Sequence, residues 1–108
     1  MSVKEGLIKA RAKVEEGWCQ GAAARDKGGL AVAATSSDAT RFCILGAINA
    51  ARLDNGVSVI GELYCALKCE AGESSLAGFN DAPGRTQEEV LALFDKAIAR
   101  VEESNGNS

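Results

Sequence analysis

Small side chains set the terms on which this chain can fold. Apolar residues occupy 46% of its 108 positions, but much of that share is alanine, and aromatics reach only 5%. A core made from such residues gains stability through close approach of helices rather than through a few large side chains. At this length a single domain with one core is expected, covering residues 1–108. The expected class is α+β and mostly α, with about four helices around one core and a small β-hairpin between the first and second.

Periodicity places the elements. Val3, Leu7, Ala10 and Val14 share one helical face. Ser2-Val3-Lys4-Glu5 reads as a capping box and Gly17 as a stop, so a first helix is expected over 3–16. Ala22-Ala23-Ala24 favours helix locally, but Asp26-Lys27-Gly28-Gly29 is a strong turn, and the arms at 21–25 and 30–34 suit a hairpin. Ser36-Ser37-Asp38 offers N-cap side chains for a second helix that ends at Asn55-Gly56. Its stripe would hold Phe42, Gly46, Asn49 and Leu53, with Cys43, Ala47 and Ala50 beside it. Gly46, Ala47, Ala50 and Ala51 would make a smooth face open to another backbone. A third helix over 57–71 would turn Ile60, Leu63, Tyr64 and Leu67 inward. Residues 72–78 read as a loop, and a last helix over 87–103 would bury Val90, Leu93, Phe94, Ala97 and Val101. Residues 104–108 read as a frayed tail.

Charge and composition exclude several function classes. The net charge is −3 and the pI about 4.9, with no run of basic residues. Neither a nonspecific nucleic-acid surface nor a membrane surface is expected, though a small local anion site is compatible. The N-terminus lacks the apolar stretch of a signal peptide and no segment reaches transmembrane length, which points to the cytoplasm. There the four cysteines, Cys19, Cys43, Cys65 and Cys69, would be thiols. The chain has no histidine, which removes the commonest general base and a common metal ligand.

The segment FNDAPGRTQEEV, residues 79–90, concentrates special residues. Ala82-Pro83-Gly84-Arg85 fits a type II turn, and Thr86 with Glu89 forms a capping box for the last helix. Asn80 and Asp81 fit Asx turns, and Phe79 fits an anchor on the core. Arg85 has no local structural role in this reading. Beside a helix N-terminus it could hold a carboxylate or phosphate, with Asn80 and Asp81 orienting polar ligand groups.

Three stretches, GWCQGAAARDKGG, DATRFCILGAINAA and FNDAPGRTQEEVLALFDKAI, together resemble a family of small bacterial and phage-associated proteins known as a domain of unknown function. The matched positions are Gly17, Trp18, Gln20, Gly21, Ala24, Arg25 and Asp26; Cys43, Gly46 and Ala47; and Asn80, Asp81, Pro83, Gly84, Arg85 and Thr86. The chain departs from that pattern with Phe42 and Phe79 where tryptophan is usual and Cys19 where a hydroxyl residue is common. The resemblance implies a shared fold and carries no activity. It adds weight to Trp18, Gln20, Arg25, Asp26, Asn80, Asp81 and Arg85, polar or amphipathic residues beyond what a scaffold needs. Two readings stand for them. In one, the hairpin meets the loop before the last helix and these residues form an internal lock, with Arg25 or Arg85 paired to Asp26 or Asp81. In the other, the same residues line a ligand pocket.

Cys65 and Cys69 lie one turn apart and could supply half of a zinc site, but Cys19 and Cys43 are scattered partners for it. No metal site or other cofactor is expected, zinc being the one metal the cysteines raise. Cys43 near a helix N-terminus is the candidate nucleophile of a cysteine-dependent or carboxylate-assisted enzyme, with Trp18, Gln20 and Asn80 as neighbours. Its base would have to be Asp26, Asp81 or Glu62. No phosphate-binding glycine loop is present. The favoured expectation is a noncatalytic cytoplasmic binding or interaction module, its polar site lying where residues 18–26 meet 79–86. Its partner would be a small polar or anionic ligand, or a protein, including another copy of the chain bound on the Gly46-Ala47-Ala50 face or an exposed Leu/Val stripe.

Overall fold

The computed structural model describes residues 3–55, 60–72 and 75–106. In chain order its elements are α1 (Val3–Glu16), β1 (Ala24–Arg25), β2 (Ala31–Val32), β3 (Arg41–Phe42), α2 (Ile44–Asn55), α3 (Ile60–Ala71), α4 (Leu76–Asp81) and α5 (Gln87–Gly106). The mostly helical α+β class is as expected, with one more helix and one more strand. The Ser2 half of the first capping box and residues 56–59 of the second and third helices lie outside the described residues.

Helix α1 forms where its pattern places it. Leu7, Ala10 and Val14 are fully buried, and α1 packs against both α2 and α5. From α5 come Val90, Leu93, Phe94 and Ala97, all buried, with Val101 partly so. Each large side chain so removed from water contributes about 1.5–3 kcal/mol. Gln87 Nε2 donates to the Val14 carbonyl at 2.7 Å, satisfying one of the oxygens that the end of α1 leaves over. At the surface of the same pair, Arg11 donates to Asp95 at 2.8 Å and to Glu15 at 3.1 Å.

The hairpin is present, with Ala24 opposite Val32 and Arg25 opposite Ala31. Asp26 Oδ1 accepts from the Gly28 and Leu30 amides, both at 2.9 Å, and Gly29 takes φ +91°. A third strand was not expected. β3 pairs antiparallel with the other side of β1, giving the order β2-β1-β3, and Phe42 also bridges in parallel to Trp18.

That pairing corrects the start of the second helix. Ser36 accepts from the Asp38 amide at 3.1 Å, but within successive turns over residues 33–39. Residues 40–42 are extended and bonded to Arg25 and Gly17, so α2 begins only at Ile44. The cap is Cys43: its carbonyl accepts from the Ala47 amide at 2.8 Å and its Sγ from Gly46 N at 3.2 Å. Phe42 therefore leaves the helical stripe and Asn49 is exposed, while Ile44, Ala47, Ile48, Ala50 and Ala51 are buried. The smooth Gly46-Ala47-Ala50 face is consumed inside the molecule and offers no surface to a second copy. A Cβ at Gly46 would collide with the carbonyl of Ala23.

Two further corrections concern the second half. Ser75 accepts from the Gly78 amide at 3.0 Å and opens α4 within the expected loop. Six residues are too few for periodicity to reveal. The last helix also continues through Gly106, past the expected fraying point. Leu67 of α3 is fully buried and Tyr64 half-buried, with Gly72 at φ +67° ending that helix.

Candidate functional site

The 18–26 segment does meet the residues before the last helix, and the meeting point is Asn80. This side chain is 1% exposed, the one buried polar residue among those described. Its Oδ1 accepts from Trp18 Nε1 at 2.8 Å and from Ile44 N at 3.1 Å. Its Nδ2 donates to the Cys19 carbonyl at 3.1 Å and to Asp81 Oδ1 at 2.9 Å. The amide thus uses all four of its hydrogen-bonding positions. The Asx turn expected at Asn80 is replaced by these long-range bonds.

The arrangement has a simple geometric origin. Phe42 donates to the Gly17 carbonyl at 2.9 Å and accepts from Cys19 N at 3.2 Å, as in a parallel ladder. The next rung of such a ladder would run from Ile44 N to the Cys19 carbonyl. The Asn80 amide stands in that place, receiving one group and supplying the other. A helical side chain so continues a sheet that the backbone itself has left.

Neighbouring residues reinforce the seam. Gln20 Nε2 donates to the carbonyls of Asn80 at 2.9 Å and Ala82 at 3.2 Å, capping the end of α4. Gly21 N donates to Asp81 Oδ1 at 3.1 Å. Arg25 donates to Gln20 O at 3.1 Å and to Gly29 O at 2.9 Å, bracing the hairpin. Arg85 donates Nε to Phe79 O at 2.9 Å and Nη1 to Glu89 at 3.3 Å. Its guanidinium lies 3.8 Å from the Phe79 ring centre, a cation–π stack.

The lock therefore differs from the ion-pair version expected. Among the described residues neither guanidinium pairs with Asp26 or Asp81, and the bonds run mainly from side chains to backbone. The turn after it is as expected: Gly84 has φ +80° and Arg85 N donates to Ala82 O at 3.0 Å. Thr86 and Glu89 exchange amide bonds at 3.2 and 2.9 Å.

A cleft of about 260 Å³ opens over this seam, lined by Gly21, Ala22, Ala23, Cys43, Leu45, Ala77, Asn80 and Asp81. Arg85 and Phe79 line a different cleft of about 280 Å³, with Glu70, Glu89 and Lys96. Trp18, Gln20, Arg25 and Asp26 line neither. The seven site candidates thus share one neighbourhood without converging on one cavity. Of the small residues in the walls of the first cleft, Gly21 was marked only by the family resemblance, Ala22 and Ala23 only by a local helix preference, and Ala77 by nothing.

Cys43 faces this cleft. Burial, above all, pushes its thiol upward; the Gly46 and Leu45 amides pull it down, and the nearby Asp81 charge raises it again. A thiol raised in this way has a smaller thiolate fraction, which slows its attack without preventing it. Of the bases proposed for it, Asp81 shares the cleft, Asp26 is engaged in the hairpin turn, and the Glu62 side chain lies outside the described residues. Cys65 and Cys69 are exposed on α3 while Cys19 is buried at the seam. Among the described residues no group of three or more acidic, cysteine or histidine side chains is placed to hold a metal. No helix among them is long and apolar enough to cross a membrane.

The protein-family model described as a family of unknown function, DUF6197, matches residues 1–100, and the chain belongs to that family. No curated protein and no solved structure matches it significantly.

Proposed function

We propose that this family member, a bacterial or phage-associated protein working in the cytoplasm, is a noncatalytic binding module whose working surface is the cleft over the Asn80 seam. The observation that carries this reading is the contrast between the cleft's walls and its floor. The walls are methyl groups and backbone, from Ala22, Ala23, Leu45 and Ala77. The floor is a saturated polar lock that cannot rearrange without orphaning buried groups. At one edge Asp81 has its Oδ1 held by two donors, which orients the carboxylate, and its Oδ2 makes no hydrogen bond among the described residues.

Such a surface suits a small polar molecule with a short apolar body and one hydrogen-bond donor directed at Asp81. Arg25 and Arg85 donate to backbone carbonyls away from this cleft, so of the polar or anionic ligand expected we adopt the polar one and extend it to cationic amines.

Trp18 is the chain's single tryptophan, and through Asn80 it reports on the cleft. The test is native mass spectrometry of gently purified protein, followed by titration with a panel of small amines and amides. Titration is read by Trp18 emission and by the amide resonances of Gly21, Ala23 and Ala77. We expect an added mass or saturable shifts, both abolished in Ala77→Phe, which fills the cleft from an exposed position and leaves the melting temperature unchanged. A bare chain mass together with silent resonances across the panel would overturn the proposal.

A further inference from the structure

Two cysteines distant in sequence meet at the same seam. Trp18 and Phe42 are parallel bridge partners, so Cys19 and Cys43, the next residues along, are neighbours across it. Cys19 N donates to the Phe42 carbonyl at 3.2 Å, which keeps the two residues after the bridge close, and a disulfide requires a Cα separation of about 4.4–6.8 Å. One side chain holds both backbones: Asn80 donates to the Cys19 carbonyl and accepts from Ile44, the residue after Cys43. The thiols differ in access. Cys43 lines the open cleft, and Cys19 lies buried behind it with Sγ 3.6 Å from the Ala22 carbonyl.

We propose that Cys19 and Cys43 form a dithiol modification site that exchanges with low-molecular-weight disulfides, Cys43 meeting the reagent and Cys19 resolving it. The Cys43 thiolate attacks one sulfur of RSSR, forming a Cys43–S–S–R bond and releasing RS⁻, which takes up the proton Cys43 gave. Cys19, as thiolate, then attacks Cys43 Sγ and releases the second RS⁻, which takes up the Cys19 proton. The protein loses two protons and two electrons, and RSSR becomes two RSH. The second step needs rotation of the Cys19 side chain away from the Ala22 carbonyl and release of Cys43 Sγ from the Gly46 amide. The two thiols also feel each other electrostatically, since charge on Cys43 raises the Cys19 thiol. This inference stands whether or not the cleft holds a ligand.

The test uses the full chain carrying Cys65→Ser and Cys69→Ser, which remove the exposed thiols. The folded protein is incubated for hours with excess oxidised glutathione, quenched in acid, and read by intact mass and peptide mapping. We expect a species lighter by two hydrogens with the peptides around Cys19 and Cys43 cross-linked. Adding Cys19→Ala should instead trap a glutathione adduct on Cys43. Should that protein fail to fold, Cys19→Ser reads the same step. Equal accumulation of the Cys43 adduct with and without Cys19 would overturn the proposal. So would a folded protein left unmodified while the urea-unfolded chain is fully oxidised.

Discussion

Replacing Asn80 with alanine removes four hydrogen bonds at once, and the loss is not uniform. Trp18 Nε1 is only part-buried and regains water at modest expense, and the bond to Asp81 lies near the surface. The Cys19 carbonyl and the Ile44 amide lose partners in buried surroundings. Each buried group left unsatisfied costs about 1–3 kcal/mol, and each net hydrogen bond lost at the edge about 1 kcal/mol. The sum is roughly 4–8 kcal/mol, a large part of the stability of a domain that is typically about 5–15 kcal/mol. At about 4 °C or more per kcal/mol for a domain of this size, the melting temperature should fall by roughly 16 °C or more. Asp81→Ala is the internal control: it removes two bonds at an exposed carboxylate and should cost no more than about 2 kcal/mol. Urea denaturation of both variants, followed by Trp18 emission and by circular dichroism, measures the difference. A loss below about 1 kcal/mol for Asn80→Ala would show that the amide does not bear on stability, and the lock reading would fall.

Three other outcomes follow from the same geometry. Gly46→Ala should destabilise by about 3 kcal/mol or more, because its Cβ meets a backbone carbonyl rather than a side chain that can turn aside; thermal melting checks it. Thr86→Ala should cost about 1 kcal/mol through loss of the α5 cap, measured in the same way. The thiols of Cys19 and Cys43 both lie above the ordinary value of 9.0 in the folded state, chiefly through burial. The unfolded chain therefore releases these protons first as pH rises. Stability should be level below about pH 8 and decline through and above pH 9, by at most about 1.4 kcal/mol per pH unit for each thiol. Urea titrations from pH 7 to 10 test this, and Cys43→Ala should flatten the decline.

What could be read in the sequence was whatever rested on local chemistry. The face of α1, the hairpin turn at Asp26-Gly29, the Pro83-Gly84 turn and the Thr86-Glu89 box each depend on residues within a few positions of one another, and each is present. The start of α2 was misread because Ser36 and Asp38 are good capping residues anywhere, and nothing local says that residues 40–42 will be taken up by β1 and by Gly17. Helix α4 was missed because a six-residue helix shows less than two turns of pattern. The encounter of 18–26 with 79–86 was legible only through the family resemblance. Its wiring was not: Asn80 resembles an ordinary turn residue until its partners, some sixty positions away, are in place.

That distance bears on how the molecule breathes. The bonds joining Trp18 and Cys19 to Asn80 span 62 and 61 positions, so they close a long loop that gains its enthalpy only after both ends are ordered. The Ile44 amide is tied into this loop by a side chain and not by its own helix or strand. Its proton can exchange with solvent only when α4 lifts from the seam, whereas the Ala47 amide, bonded to the Cys43 carbonyl, exchanges when the helix frays. The ratio of the two exchange rates is therefore a gauge of one motion, the opening of the cleft floor, set apart from the unfolding of the helix beside it.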